Sequence, residues 1–533
     1  MTADSACWTP RQHHGITAGL SALAMLLAWV ATSRGVGISP DSVAYLSTGI
    51  NLADSQGLRQ LADAPLTVFP PGLPVLAATG EAVGLGAEAT LRIVSVLSFG
   101  AIVALGSLLI RRVVPHRFVA LGAMTVLAAS PVLLDVSTMA WSEPPFVVVT
   151  LAFLLVLGGV WARHGVTGRE VLALAVLCWL AFLLRYAGIL LIGVTGLALL
   201  LVLRPMDRRA LTRTAAFGLL GAVVPIGWMV RNHAADGTYL GPRRGSPDTV
   251  WDVAVQMGAT FGEWLVPRSE LATRHLALLG AAGAVLAAAG LVLGLRARER
   301  TDGPGERAQL ACCGLFVVLY VAYLTVSTLS TAISLPNSRY LSPVYVPAVA
   351  IVAAGLAAWL RRGAPVAARV LTVAAYVLFL SGQLATTIND TGDGRREGIA
   401  LASDRRMESE LAAATARLVA TTGPSVVYSN SPSALWTATR LQPIHFAPRD
   451  SGVRGLPVEG ELEEFTRTVG CSRSTTYLVL SLVADDRVIP LDELREAVQV
   501  DRAQVASDGA IFRVTAPKPG DCEPDSRRTT AKR

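Results

Sequence analysis

The stretch Ser39-Pro40-Asp41-Ser42-Val43-Ala44-Tyr45 places a carboxylate just past the first apolar segment of a 533-residue chain, at the start of a polar loop. An aspartate held there is charged at neutral pH and can take a proton from a hydroxyl on a partner that is itself anchored in lipid. Ser39-Pro40-Asp41 also suits the first turn of a short helix, because Ser and Asp favour the N-cap and Pro the first helical position. Charged side chains recur at the ends of later apolar runs. Glu143 follows Trp141-Ser142, Arg185 and Arg339 each precede a tyrosine (Tyr186 and Tyr340), and Arg231, Arg243 and Arg244 share one polar segment. A guanidinium in such a place offers forked donors to a phosphate or carboxylate and is costly to bury without one. The same positions suit plainer roles, since arginines at helix ends snorkel to lipid headgroups and Glu143 before Pro144-Pro145 suits a helix cap.

The elements that must position these groups are membrane spans. Hydrophobic residues make up 52% of the chain and charged residues 16%, against roughly 25% charged in soluble domains. A net charge of +7 would point to a polyanion in a soluble protein. Here the basic residues flank apolar runs and read as topology signals, so no nucleic-acid partner is inferred. Residues 1–14 form a polar N-terminus, and Gly15 to Thr32 is an apolar run of about one bilayer thickness. We read it as a retained helix, because no clean small-residue cleavage site follows. The loop 33–87 contains two amphipathic pieces, Asp41 to Ala53 and Pro71 to Val83, separated by Phe69-Pro70-Pro71; such pieces lie along the interface. Further apolar runs fall at 90–110, 118–134, 144–162, 170–184, 187–203, 213–230, 275–295, 310–332, 343–360 and 365–386. The clusters Arg111/Arg112/Arg117, Arg163/Arg169, Arg204/Arg208/Arg209/Arg213, Arg296/Arg298/Arg300 and Arg361/Arg362/Arg369 all face inward if the N-terminus is cytoplasmic. That agreement supports about eleven spans in a multi-pass plasma-membrane protein. It requires a break at Leu183-Leu184-Arg185-Tyr186-Ala187, since one helix over 170–203 would invert everything downstream.

This topology puts the Asp41 loop, the Trp141-Ser142-Glu143 turn, the loop Arg231 to Arg274 and Asn337-Ser338-Arg339-Tyr340 on one outer face. Residues 390–533 also fall outside. There, β-type runs at Ser425 to Tyr428, Thr476 to Val483 and Ala510 to Val514 alternate with helical patterns at Ser403 to Ala420 and Leu491 to Val498, which reads as a small α/β domain with a polar tail. Cys178, Cys312 and Cys313 fall in apolar spans as packing residues, and Cys7 is cytoplasmic. An oxidising compartment favours a Cys471–Cys522 disulfide in the tail.

Several fragments share one order and one face: Pro40-Asp41-Ser42-Val43-Ala44-Tyr45, Phe69-Pro70-Pro71-Gly72-Leu73-Pro74, Leu91-Arg92-Ile93-Val94-Ser95, Ser130-Pro131 with Ser142-Glu143, Leu184-Arg185-Tyr186, Arg231-Asn232 with Gly237 and Gly241, and Arg339-Tyr340-Leu341-Ser342-Pro343. Together, to about residue 360, they resemble the GT-C superfamily of membrane glycosyltransferases, in the bacterial branch related to protein mannosyltransferases and lipid A aminoarabinose transferases. The resemblance implies a transmembrane GT-C-like domain over 15–389 and transfer of a hexose or pentose from a polyprenyl-phosphate donor to a glycan, lipid or protein of the cell envelope. It gives Asp41 the role of general base. Many members carry a second acid directly after it, where this chain has Ser42; Asp54, Asp63 or Glu143 would have to supply a second carboxylate. Arg185, Arg339, Arg231, Arg243 and Arg244 are the donor-phosphate candidates, with Tyr45, Tyr186 and Tyr340 against the substrate. A divalent metal is compatible with the resemblance, although the seven histidines show no metal-ligand spacing.

The chemistry has its own logic. Nucleotide sugars stay in the cytoplasm, so outer-face transfer needs a donor that has crossed the bilayer. An acceptor hydroxyl deprotonated by Asp41 then attacks the anomeric carbon opposite the departing phosphate and inverts it, while a guanidinium takes up the leaving charge. A transporter or flippase of a lipid-linked substrate is the alternative. It predicts ionisable residues within the spans and related halves, whereas these runs are nearly free of charge and show no internal repeat. A non-catalytic envelope scaffold, with the tail as binding module, is a third reading, which sugar transfer by purified protein supplied with lipid-linked donor would exclude.

Overall fold

The computed structural model describes residues 9–202, 208–299, 304–446, 460–472, 474–482 and 488–515. Thr9 and Gln12 close a capping box on α1 (Pro10–Ala31), the first apolar helix. Two short helices follow, α2 (Pro40–Ala53) and α3 (Gly72–Ala82), where the sequence shows its amphipathic pieces. The bundle continues through α4 (Ala87–Val113), α5 (Arg117–Ala128), α6 (Pro131–Thr138), α7 (Glu143–Ala162), α8 (Gly168–Leu184), α9 (Ile189–Val202), α10 (Arg208–Asp236), α11 (Val250–Leu265), α12 (Thr273–Glu299), α13 (Pro304–Ser330), α14 (Ser338–Arg361) and α15 (Val366–Glu397). Among the described residues, nine stretches are long and apolar enough to cross a membrane: α1, α4, α5 with α6, α7, α10, α12, α13, α14 and α15. The shorter apolar α8 and α9 lie on either side of the expected break, where Arg185 is extended (φ −150°, ψ 139°) and ends α8. The chain is a polytopic helical membrane protein.

Two differences from the sequence reading have local causes. The run read as 118–134 is bent, because Pro131 brings no N–H to continue α5, and Ser130 caps a new helix that runs on to Thr138. The segment read as a loop from Arg231 to Arg274 contains α11. A Thr249/Asp252 capping box starts it, and Val253, Met257, Thr260 and Trp264, at helical spacing, are its buried stripe.

Beyond α15, which runs past residue 390 to Glu397, lies a five-stranded sheet in the order β2-β1-β3-β5-β4. Its strands are β1 (Ser425–Ser429), β2 (Ile444–His445), β3 (Thr475–Ser481), β4 (Gln499–Ala506) and β5 (Gly509–Thr515). β1 runs parallel to β2 and β3, and β5 is antiparallel to β3 and β4. The period-2 alternation sends Tyr428, Leu478 and Phe512 to one face and Val427, Tyr477, Val479 and Ile511 to the other. After the single turn α16 (Asp404–Met407), α17 (Glu410–Thr422) and α18 (Pro432–Thr439) cover the second face through Leu411 and Leu435. α19 (Glu461–Cys471) and α20 (Leu491–Ala497) cover the first through Phe465 and Leu494.

This domain is docked on the loop that carries Asp41. Trp436 of α18, 2% exposed, enters an apolar core with Val36, Ile38, Val43, Tyr45, Leu46 and Leu73. Arg34 pairs with Asp404 at 2.7 Å, Arg440 pairs with Glu88, and the Ala62 N–H donates to Gln442 Oε1 at 3.2 Å.

Candidate active site

A short strand-like segment aims the Asp41 loop. Gly37 N–H donates to Thr138 O and Ala140 N–H to Gly37 O, both at 2.8 Å, while Leu401 N–H donates to Ile38 O at 2.9 Å. The segment is thus held between the end of α6 and the beginning of the C-terminal domain. Gly37 is required by crowding, since a Cβ there would overlap Met139 Sδ. Ser39 then starts α2 in a reciprocal box with Ser42: Ser42 N–H donates to Ser39 Oγ at 3.3 Å and Ser39 N–H to Ser42 Oγ at 3.1 Å. Trp141 Nε1–H donates to the same Ser39 Oγ at 2.8 Å. The N-cap reading of Ser39-Pro40-Asp41 is therefore realised, and the cap fixes the first turn that carries the Asp41 carboxylate.

Glu143 opens α7 and is buried, with 1% of its side chain exposed. Its Oε1 accepts from Arg339 Nε and pairs with Arg185 Nη1, and its Oε2 has no partner. Arg339 reaches on to Asp41, with Nη2 at 2.7 Å from Oδ2. The Asp41 side chain is 31% exposed, and beyond this pair it makes no hydrogen bond among the described residues. Arg185 also donates to Ser142 Oγ at 3.2 Å, and Tyr45 Oη lies 3.5 Å from that oxygen. Aromatic rings wall the guanidiniums: Arg339 stands 4.1 Å from the Trp141 ring centre, and both arginines are 5.8 Å from that of Tyr340. Burial pushes the Tyr45 hydroxyl above the ordinary tyrosine range, and the charges of Asp41 and Glu143 add to the effect.

The helix ends explain why these charges tolerate one another. Asp41 and Glu143 lie in the first turns of α2 and α7, where the helix dipole favours an anion. Asn337 caps α14 by accepting from Tyr340 N–H at 3.2 Å, which puts Arg339 in a first turn that disfavours a cation. The two carboxylates offset that cost. An anion added at this junction meets the guanidiniums of Arg185 and Arg339 rather than free helix N–H groups, since prolines and caps occupy the helix starts.

The structure therefore brings Asp41, Glu143, Arg185, Arg339, Tyr45 and Tyr340 together, from segments far apart in the chain. Other candidates lie elsewhere. Tyr186 donates to Thr67 O at 2.6 Å and accepts from Asn232 Nδ2 at 2.9 Å and Trp228 Nε1 at 3.1 Å. Arg231 donates to Leu66 O, and Arg243 lies 5.9 Å from the Tyr186 ring centre while donating to Leu240 O at 3.1 Å. This second group ties α10 to the loop before α3. The Arg244 carbonyl accepts from Ala332 N–H at 2.9 Å. Asp54 ends α2, and exposed Asp63 pairs with Arg59 at 2.8 Å, so neither joins Asp41. Cys178, Cys312 and Cys313 are free and buried. Cys471 is disulfide-bonded, and Cys522, like Cys7, lies outside the described residues. Among the described residues no three His, Cys, Asp or Glu side chains converge as metal ligands, and the carboxylates of the cluster are engaged by guanidiniums.

Sequence reasoning named Ser39 as a cap but overlooked Trp141 as its brace and Ser142 as a guanidinium acceptor. Both stood beside residues it had singled out.

No family model and no curated protein matches the sequence. Solved structures do. The chain is similar to ArnT from Cupriavidus metallidurans bound to undecaprenyl phosphate, with a TM-score of 0.58 at 13% identity over 93% of this chain and 97% of that one. It is also similar to the arabinofuranosyltransferase AftD from Mycobacteria, with a TM-score of 0.51 at 16% identity over 97% of this chain and 42% of that one. For AglB, the oligosaccharyltransferase of Archaeoglobus fulgidus in complex with an inhibitory peptide and a dolichol-phosphate, the TM-score is 0.50 at 12% identity over 96% and 75%. The likeness runs over nearly the whole of this chain and is one of fold. This chain shares the fold of these solved structures, in keeping with the resemblance.

Proposed function

We propose that the chain is an inverting glycosyltransferase that moves a hexose or pentose from a polyprenyl-phosphate donor to a hydroxyl of a glycan, lipid or protein acceptor at the outer face of the plasma membrane. The observation that carries the reading is the bridge made by Arg339 between Asp41 and Glu143, with Arg185 on the same Glu143 oxygen. A proton acceptor and two anion-binding groups then share one junction. The similar ArnT and AglB structures each hold a polyprenyl phosphate, which supports a carrier of that kind here.

Asp41 accepts the proton of the acceptor hydroxyl through the carboxylate oxygen that Arg339 leaves open. The hydroxyl oxygen bonds to the anomeric carbon as the bond from that carbon to the phosphate oxygen breaks, and the lipid phosphate departs with the electron pair. Arg185 and Arg339 stabilise the charge that gathers on it. Buried Glu143 is a positioning residue that fixes both guanidiniums, which fits its 1% exposure better than contact with substrate. Arg231, Arg243 and Tyr186 shape the first loop, and Tyr45 and Tyr340 pack the wall of the site.

The test is Asp41→Asn, assayed in nanodiscs with undecaprenyl phosphate carrying mannose or arabinose as trial donors. Turnover falls by about 10²- to 10⁴-fold, the usual worth of a general base, while undecaprenyl phosphate still binds. Wild-type turnover in the variant ends the assignment. Reporter fusions after residue 55 that locate the loop in the cytosol end the outer-face reading.

A further inference from the structure

In the segment 130–140, Asp135 alone is exposed; every neighbour is buried. Its carboxylate thus reaches solvent from a packed helix, in a crevice rather than at an open surface. The charged groups that face it are Asp390, Arg339, Arg268 and Glu143. Two of these belong to the cluster around Asp41, so the opening adjoins the site. The other two are paired with each other: Arg268 binds Asp390 and stands 3.7 Å from Asp393. Both nearby guanidiniums are held by other carboxylates, and the Asp135 side chain makes no hydrogen bond or ion pair among the described residues. A second acceptor close by is also unsatisfied, the buried Oε2 of Glu143. A buried polar atom without a partner is uncommon and points to a group that arrives later.

The charges limit what that group is. Among the described residues no three His, Cys, Asp or Glu side chains converge as metal ligands, and the guanidiniums beside Asp135 are already paired with carboxylates. Neutral hydroxyls bring donors without needing a countercharge, and two on adjacent ring carbons match the two oxygens of a carboxylate. We propose that Asp135 accepts hydrogen bonds from adjacent hydroxyls of a sugar ring seated beside Arg339, and so selects which sugar the site takes. The inference rests on the glycosyltransferase reading. The ring belongs either to the donor or to the acceptor.

The experiment compares full-length wild type, Asp135→Asn and Asp135→Ala in nanodiscs, with three probes: undecaprenyl phosphate, and the same carrier bearing mannose or arabinose. The bare carrier reports on the arginines and on correct folding, and binds all three proteins within twofold. At least one sugar-bearing carrier binds Asp135→Ala at least tenfold more weakly, about 1.4 kcal/mol, with Asp135→Asn between. If donor affinity is unchanged but the KM for acceptor rises tenfold at constant donor KM, the ring is the acceptor's and the proposal stands. Unchanged donor and acceptor constants overturn it while leaving the glycosyltransferase reading intact. A wild type that neither binds the carrier nor transfers sugar defeats that reading and this proposal with it. A loss of bare-carrier affinity as large as the loss of donor affinity overturns the proposal too, since Asp135 would then act on the arginines.

Discussion

Glu143→Gln removes the one negative charge shared by Arg185 and Arg339, whose side chains are 16% and 15% exposed beside a carboxylate that is 1% exposed. Breaking a buried ion pair from one side costs about 3–5 kcal/mol, because a guanidinium is left uncompensated. Arg339 keeps Asp41 at 2.7 Å. The penalty therefore falls mainly on Arg185, whose remaining hydrogen bond goes to Ser142 Oγ at 3.2 Å. Glutamine retains a carbonyl that accepts one guanidinium hydrogen, so we expect the lower end, about 3 kcal/mol. An exposed pair would be worth about 0–1 kcal/mol, so the measurement separates the two cases. Arg185→Gln should cost a similar amount, and the double variant less than the sum, because the second change removes the stranded charge. Equilibrium unfolding of the four purified proteins in mixed micelles with rising SDS, followed by circular dichroism, gives the coupling, expected to exceed about 1.5 kcal/mol. Additivity within about 0.5 kcal/mol would show that the two side chains do not depend on each other, and the account of how the arginines are held would fail.

Ser39→Ala removes both the cap of α2 and the acceptor of the Trp141 indole. A loss of about 1 kcal/mol for the cap and about 1 kcal/mol or more for the stranded N–H should appear in the same unfolding assay, with a shift in tryptophan emission; wild-type stability would remove Ser39 as a brace. Tyr45→Phe deletes only a 3.5 Å contact and should cost under about 1 kcal/mol. Its pH dependence is more telling. Burial, then Asp41 and Glu143, raise the hydroxyl above its unfolded value, so the folded state keeps a proton that the unfolded state loses near pH ~10. Stability from this group is complete below that pH and declines as the pH climbs beyond it. Unfolding midpoints measured from pH 8 to 11 should fall less steeply in Tyr45→Phe, and parallel curves would contradict the burial argument.

What the sequence disclosed was carried by residues with a single physical option. One helix over 170–203 would have put the later arginine clusters on the wrong face, so the break beside Arg185 was readable. Val427/Tyr428 and the Tyr477–Val479 run betrayed the inner strands by alternation, whereas β4, whose Gln499–Ala506 stretch includes Asp501 and Arg502 and is mostly exposed, gave no such signal. α11 was overlooked although Thr249 and Asp252 spelled its capping box, because its amphipathic 16 residues lack the continuous apolar run of a span. The partners of the arginines were out of reach for another reason. Arg231 satisfies itself on the carbonyl of Leu66, and Arg339 on Asp41 and Glu143, contacts that close loops of well over a hundred residues and leave no local trace. Their shared location at helix ends nominated both equally, and only the packing of α10 against the loop before α3 separates them.

The hydrogen bond from Leu401 to Ile38 has a mechanical meaning. Two covalently consecutive residues, Gly37 and Ile38, are grasped on one side by the bundle and on the other by the first residues of the sheet domain. The tether continues through Ser39 into the turn that bears Asp41. Whatever leans on the outlying domain consequently has a short, stiff route along which tension arrives at a single carboxylate, and the reach of that carboxylate can be set from outside the bundle.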